Sequence, residues 1–199
     1  MTEPEPIVAL VDIVRELTNR GRKFALVGGL AVSLRAEVRF TRDVDLAVVV
    51  VDDADAEGLI YDLKRSAYVP IVTVEHELHK RLSTVRLQTS AGIKVDLLFA
   101  SSGIENEIVD RATAVKVKGS IRVRVAKSEE LIAMKILSMS EQRMQDRMDV
   151  HRLVQFAIDL DVPRILDNLA LIVKRGYHRD QDLLSKFESV MKMIDLPTV

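Results

Sequence analysis

Cysteine is absent from the 199 residues. That excludes disulfides, thiolate catalysis and every zinc site built on cysteine sulfur, so any metal must be held by oxygen or imidazole ligands. Long hydrophobic runs are missing as well: the apolar stretches, such as Leu46 to Val51, fall far short of the roughly 18 residues that a membrane span requires. No excess of charge of either sign exists, because the formal net charge is -1 and no global basic field marks a nucleic-acid binder. Lys and Arg do cluster locally, around Arg35 to Arg42, at Lys80 and Arg81, from Lys116 to Lys127 and from Lys174 to Arg179. Such runs are usually solvated faces. The opening Met-Thr-Glu-Pro-Glu-Pro lacks the basic flank and apolar centre of a secretory signal, so a cytoplasmic location and no membrane partner are expected.

What is present is the balance of a soluble globular chain, 48% hydrophobic and 30% charged. The length suits one domain with an appendage or two small domains. Apolar positions Ile7, Leu10, Val11, Val14 and Leu17 recur at helical spacing and predict a helix from about 6 to 20. Phe24 to Val27 reads as a short buried strand ended by Gly28-Gly29, with a short helix over Leu30 to Ala36. The β-branched run Val44 to Val51 suits a central strand buried on both faces. A helix over Ala54 to Ser66, capped by Asp52 and Asp53, is followed by a strand near Tyr68 to Val74 and a hairpin, Ser83 to Thr89 with Ile93 to Phe99. A helix over Ile104 to Thr113 and a second hairpin turning at Lys118-Gly119-Ser120 come next. Beyond Ala126 only helices are expected: Ser128, as N-cap, to about Met139; Gln142 to Ile158; Arg164 to Arg175; and Asp180 to Ile194. The fold class is therefore α+β. Residues 1–126 form a mixed sheet with helices, and residues 127–199 form a helical portion that completes a cleft.

The most informative stretch is Val27-Gly28-Gly29 followed by Arg39-Phe40-Thr41-Arg42-Asp43-Val44-Asp45-Leu46. Side chains two apart on a strand share a face, so Asp43 and Asp45 present two carboxylates together. Two adjacent anions at the mouth of an apolar strand repel unless a cation neutralises them. Asp96, in Lys94-Val95-Asp96-Leu97-Leu98-Phe99, is a third acid in an apolar strand. Three such acids on neighbouring strands suit two Mg²⁺ or Mn²⁺ ions, and a Gly-Gly turn opening a helix offers free N–H groups to phosphates. Taken singly, Asp-x-Asp is most often a strand start, Gly-Gly a turn and Asp96 an edge residue. The order of the three carries the argument.

That order resembles the nucleotidyltransferase superfamily of DNA polymerase beta, kanamycin nucleotidyltransferase and the CCA-adding enzymes. Arg39-x-Thr41-x-Asp43-x-Asp45-Leu46 is closer still to the AbiEii-like toxin nucleotidyltransferases. The resemblance implies a core of that fold and an NTP-dependent transferase releasing pyrophosphate. Asp43, Asp45 and Asp96 would be metal ligands and catalytic groups, with Lys135 on the phosphates and Asp149 positioning Lys135 or assisting catalysis. Gly28, Gly29, Arg39, Thr41, Arg81 and Lys135 would bind the nucleotide. It implies as acceptor a tRNA or a protein, with an antitoxin as partner, and leaves open a small-molecule acceptor or a non-catalytic binding module. Gly29 stands where many active members carry a serine, so any hydroxyl contact to phosphate must come from elsewhere. Gln145-Asp146 lacks the basic residue often found before that acid. His76 and His79 lack the further ligands of a zinc site, and no serine sits in a nucleophile elbow.

Overall fold

A computed structural model describes residues 6–119 and 121–194. The acidic segment before Pro6 and Ser120 of the expected hairpin turn lie outside them. Along the chain run α1 (Pro6–Asn19), β1 (Phe24–Val27), α2 (Gly28–Arg35), β2 (Val44–Val48), α3 (Asp53–Arg65), β3 (Val69–His76), β4 (Arg81–Gln88) and β5 (Lys94–Leu98). Then come α4 (Glu105–Arg111), β6 (Thr113–Lys118), β7 (Ile121–Val125), α5 (Ser128–Ser138), α6 (Met144–Phe156), α7 (Val162–Lys174) and α8 (Leu183–Ile194). The fold is α+β, as the sequence predicts. No helix among the described residues is long and apolar enough to cross a membrane.

One seven-stranded mixed sheet, in the order β3-β4-β5-β2-β1-β7-β6, carries the molecule. β2 is antiparallel to β1 and parallel to β5; β4 is antiparallel to β5, and β1 is parallel to β7. Burial explains which strands are central. Phe24–Val27 is buried throughout, and Val44, Leu46 and Val48 of β2 are wholly excluded from solvent. β3, by contrast, is an edge strand whose Val69, Ile71, Val72 and Val74 remain exposed.

Several boundaries differ from expectation for local reasons. The β2 strand stops at Val48, where Val49 still donates to the Lys23 carbonyl but regular pairing ends. Asp43 therefore precedes the strand rather than lying in it. The α2 helix begins at Gly28 itself, because Gly28 adopts a left-handed φ of 64° that turns the chain out of β1 at once. Asp52 alone caps α3, its side chain accepting from the Asp55 amide. Ser128 lies inside the first turn of α5, whose N-cap is Lys127. Asp161 caps α7 by accepting from the Arg164 amide, and Pro163 sits in the first turn, where its missing N–H costs nothing.

A single apolar cluster joins β1, β2 and β5 to Leu131, Ile132 and Ile136 of α5 and to Val150 and Leu153 of α6. The helices after Val125 thus share the sheet's core, which fixes their distance from the strand ends. Leu46 is fully buried in the central strand. We expect Leu46→Ala to cost about 2–5 kcal/mol, the range for deleting a packed aliphatic side chain; denaturant unfolding at constant m-value measures it.

Candidate active site

Register builds the site. Arg86 of β4 lies opposite Asp96 of β5, Asp96 opposite Asp45 of β2, and Asp45 opposite Val27 of β1. One row thus crosses four strands and ends at Gly28-Gly29. The two-residue repeat keeps Thr84, Arg86, Asp96 and Leu98 on the same face, and all four line a cleft of about 670 Å³ together with Gly28, Gly29, Asp43 and Asp45. A volume of this size is typical of small-ligand pockets. The opposite wall comes from α5, α6 and the segment between α7 and α8, through Lys135, Arg143, Asp146 and Arg179.

The expected convergence of Asp45 with Asp96 is therefore present, with Asp43 just before the strand. Asp45 is largely buried, and burial first, then the Asp96 and Asp43 carboxylates, push its pKa up from 3.8 to about 6; Lys135 and the Gly29 amide act in the other direction. The glycines are required where they stand. A Cβ on Gly28 would fall 2.0 Å from Asp45 Oδ2 and 2.7 Å from Asp45 Cβ, so turning the carboxylate alone does not make room for it. On Gly29 it would fall 2.6 Å from Arg39 Nη2 and 2.8 Å from Thr41 Oγ1. The space that a side chain at 29 would fill is taken by the Thr41 hydroxyl and the Arg39 guanidinium, so a hydroxyl does stand beside this turn.

Arg86 was not anticipated from the sequence. Its Nε donates to Asp96 Oδ1 at 2.8 Å and its Nη2 to Asp96 Oδ2 at 2.6 Å, and Nη2 lies 3.9 Å from Asp43 Oδ2. The fork engages both oxygens of Asp96, and the carboxylates around it raise the arginine's own pKa. As they stand, no three His, Asp or Glu side chains among the described residues are gathered tightly enough to hold a metal ion. The guanidinium beside Asp96 and Asp43 is a physical reason.

Arg81, expected on the nucleotide, is a correction. It begins the same strand, beyond a bulge at Ser83, pairs with Asp53 at 3.0 Å and lines a separate cavity of about 250 Å³ with Phe99 and Tyr177. His76 and His79 sit at the end of β3 and in the turn after it, where their rings pack with each other and with Tyr177.

The helical wall is organised by two buried carboxylates. Asp149 is fully buried and faces Lys135 Nζ at 2.9 Å and Arg39 Nε at 2.9 Å, while Gln145 donates to it at 3.0 Å. Asp146 accepts from Lys135 Nζ at 2.7 Å and from the Ser138 hydroxyl at 3.0 Å, and Arg143 Nε lies 2.8 Å away. Lys135 is thus clamped between two acids and held at the cleft, and the loop carrying Arg39 is tied to α6.

The comparisons agree with this geometry. Residues 12–194 match the family described as nucleotidyl transferase AbiEii toxin, type IV TA system. The chain belongs to the AbiEii nucleotidyltransferase family. A search of curated proteins finds no match. Among solved structures, an antigenic nucleotidyltransferase-like protein from Paracoccidioides brasiliensis is similar at 18% identity and a TM-score of 0.53, covering 92% of each chain. ANT(2")-Ia in complex with adenylyl-2"-tobramycin is similar at 12% identity and a TM-score of 0.52, covering 85% of this chain and 97% of that one. The lincosamide antibiotic adenylyltransferase LnuA, lincomycin-bound, is similar at 15% identity and a TM-score of 0.50, covering 74% and 96%. At such identities the likeness shows the fold. With the family, it makes this AbiEii member a nucleotidyltransferase.

Two outcomes test the site's energetics. Removing a buried acid that compensates two cations leaves charge unpaired in the interior, so Asp149→Ala should cost about 3–5 kcal/mol in urea unfolding. Because the folded pKa of Asp45 lies above its ordinary value, its ionised form is disfavoured by the fold; the penalty is full above about pH 6 and is relieved as pH falls toward 4. In chelator-treated protein, Asp45→Asn should therefore raise Tm at pH 8, with the gain shrinking toward pH 5.

Proposed function

We propose that this AbiEii member moves a nucleoside monophosphate from an NTP to a hydroxyl of a tRNA or a protein, acting as the toxin beside an antitoxin partner. The observation that carries the reading is the row Arg86–Asp96–Asp45–Val27 ending at Gly28-Gly29, which sets carboxylates against a phosphate-sized turn. The donor chemistry fits hard divalent cations: carboxylate oxygens only, crowded enough that Asp45 is pushed to about 6. Asp43, Asp45 and Asp96 would hold two Mg²⁺ or Mn²⁺ ions, with Arg86 turning off Asp96. Bound there, the ions would neutralise the phosphates and lower the barrier to in-line displacement.

The chain's own residues divide the remaining work. The Gly28-Gly29 turn, the Thr41 hydroxyl and the Arg39 guanidinium face the phosphates. Asp149 orients Lys135 and Arg39 toward them. The acceptor oxygen attacks the α-phosphorus and the bond to the β-phosphate oxygen breaks. Pyrophosphate leaves with the released charge, and the hydroxyl proton passes to Asp96 or to water.

A second reading, a binding module without catalysis, draws on one observation: Arg86 occupies both oxygens of Asp96. Incubation of the purified protein and cell extract with Mg²⁺ and each labelled NTP separates the two. Label on RNA or protein is expected, and Asp43→Asn or Asp45→Asn should lower transfer by at least about 100-fold with no loss of Tm. No label and no NTP-dependent thermal shift would favour the module. An RNA acceptor should show binding that weakens steeply with salt, through counterion release.

A further inference from the structure

Five cations line the cleft: Arg39, Arg86, Lys135, Arg143 and Arg179. Four are already matched by carboxylates. Arg39 faces Asp149, Arg86 forks onto Asp96, Lys135 lies between Asp146 and Asp149, and Arg143 faces Asp146. Among the described residues Arg179 alone of the five makes no ion pair; Nη2 donates to the Ser101 carbonyl at 3.1 Å. The side chain is exposed at the cleft, and a carbonyl partner leaves its charge available to an anion.

Its surroundings bear on that charge. Burial and then the Arg143 guanidinium disfavour the charge on Arg179, and burial and Arg179 in turn disfavour that on Lys186, whose ammonium donates to the carbonyl of Met139 at 2.6 Å. Positive charge therefore gathers at this end of the cleft, where Glu105 favours the charge on Arg179 without forming an ion pair with it. The backbone is held to put it there: Arg179 and Asp180 both have φ near 55°, a left-handed conformation that non-glycine residues adopt at a cost of order 1 kcal/mol each.

We propose that Arg179, on the segment between α7 and α8, is the receptor for the β- and γ-phosphates of the NTP, the part that leaves as pyrophosphate. The inference rests on the nucleotidyl-transfer reading and deepens it. Lys135 is paired with two acids, so it meets the phosphates as part of that network and not as a free charge. The free guanidinium supplies the anion contact. Its planar fork suits a non-bridging pair of phosphate oxygens, which a paired ammonium cannot match. Charge on the ligand is densest at the polyphosphate tail, so the unpaired cation of the cleft meets it there.

Calorimetric titration of wild type, Arg179→Ala and Arg179→Lys with each NTP, each NMP and inorganic pyrophosphate, all with Mg²⁺, tests this. Loss of a charged hydrogen-bonding partner should weaken NTP and pyrophosphate binding by about 10- to 100-fold in Arg179→Ala, with NMP binding within about two-fold of wild type. Arg179→Lys should fall between. If Arg179→Ala loses Tm, Arg179→Gln, which keeps a donor for the Ser101 carbonyl while dropping the charge, carries the same comparison. Undiminished pyrophosphate and NTP binding by the charge-free variants overturns this inference alone. Wild type that binds neither NTP nor pyrophosphate overturns it together with the transfer reading.

Discussion

Two carboxylates held side by side on neighbouring parallel strands set the terms for everything around them. Like charges directly opposite on a sheet repel, and Asp45 and Asp96 are register partners in its centre. Their hydration is reduced by the same packing that fixes their spacing. The sheet accepts the pair because cations and amide dipoles surround it: the Gly29 amide and Lys135 on one side of Asp45, the Arg86 fork on Asp96. The divalent ions of the proposed reaction would take the place of those charges between the two carboxylates.

The second constraint joins the sheet to the helices. A fully buried Asp149 on α6 can be ionised only if cations reach it, and they come from two places: Lys135 on α5 and Arg39 on the loop that leads to β2. The carboxylate therefore locks the helical wall to the loop carrying Thr41 and Asp43. The continuous apolar cluster between β1, β2, β5, α5 and α6 holds the same elements from beneath. The cleft is rigid on both walls for different reasons, one apolar and one electrostatic.

Much of this was legible in the sequence. Strands and helices followed from apolar periodicity, and Asp43, Asp45, Asp96, Gly28, Gly29, Arg39, Thr41 and Lys135 all reach the cleft, with Asp149 behind it. What failed was choice among like residues. Arg81 and Arg86 lie on one strand and look alike in sequence, yet Arg81, at the strand's start, meets Asp53 and Arg86 meets Asp96. The bulge at Ser83, which breaks the two-residue alternation between the two arginines, leaves no mark in the sequence. Arg179 was visible only as part of a basic run, because its significance lies in the absence of a carboxylate partner, which is a property of three-dimensional neighbours. Helix ends were missed by a residue or two where a left-handed glycine or an Asp cap moved them.

The exchange of space at position 29 ties these observations together. A side chain there competes for space with the Arg39–Thr41 pair, since a Cβ would stand 2.6 Å from Arg39 Nη2 and 2.8 Å from Thr41 Oγ1 and both side chains would have to shift. Glycine at 29 is thus the complement of Arg39-x-Thr41 rather than the loss of a contact. With Arg39 drawn in by Asp149, the buried acid of α6 determines, through one guanidinium, how close the backbone of the turn lies to whatever binds in the cleft. Residues far apart in sequence, Gly29, Arg39, Thr41 and Asp149, therefore form one unit of recognition, and a change at any one of them alters the space available to the other three.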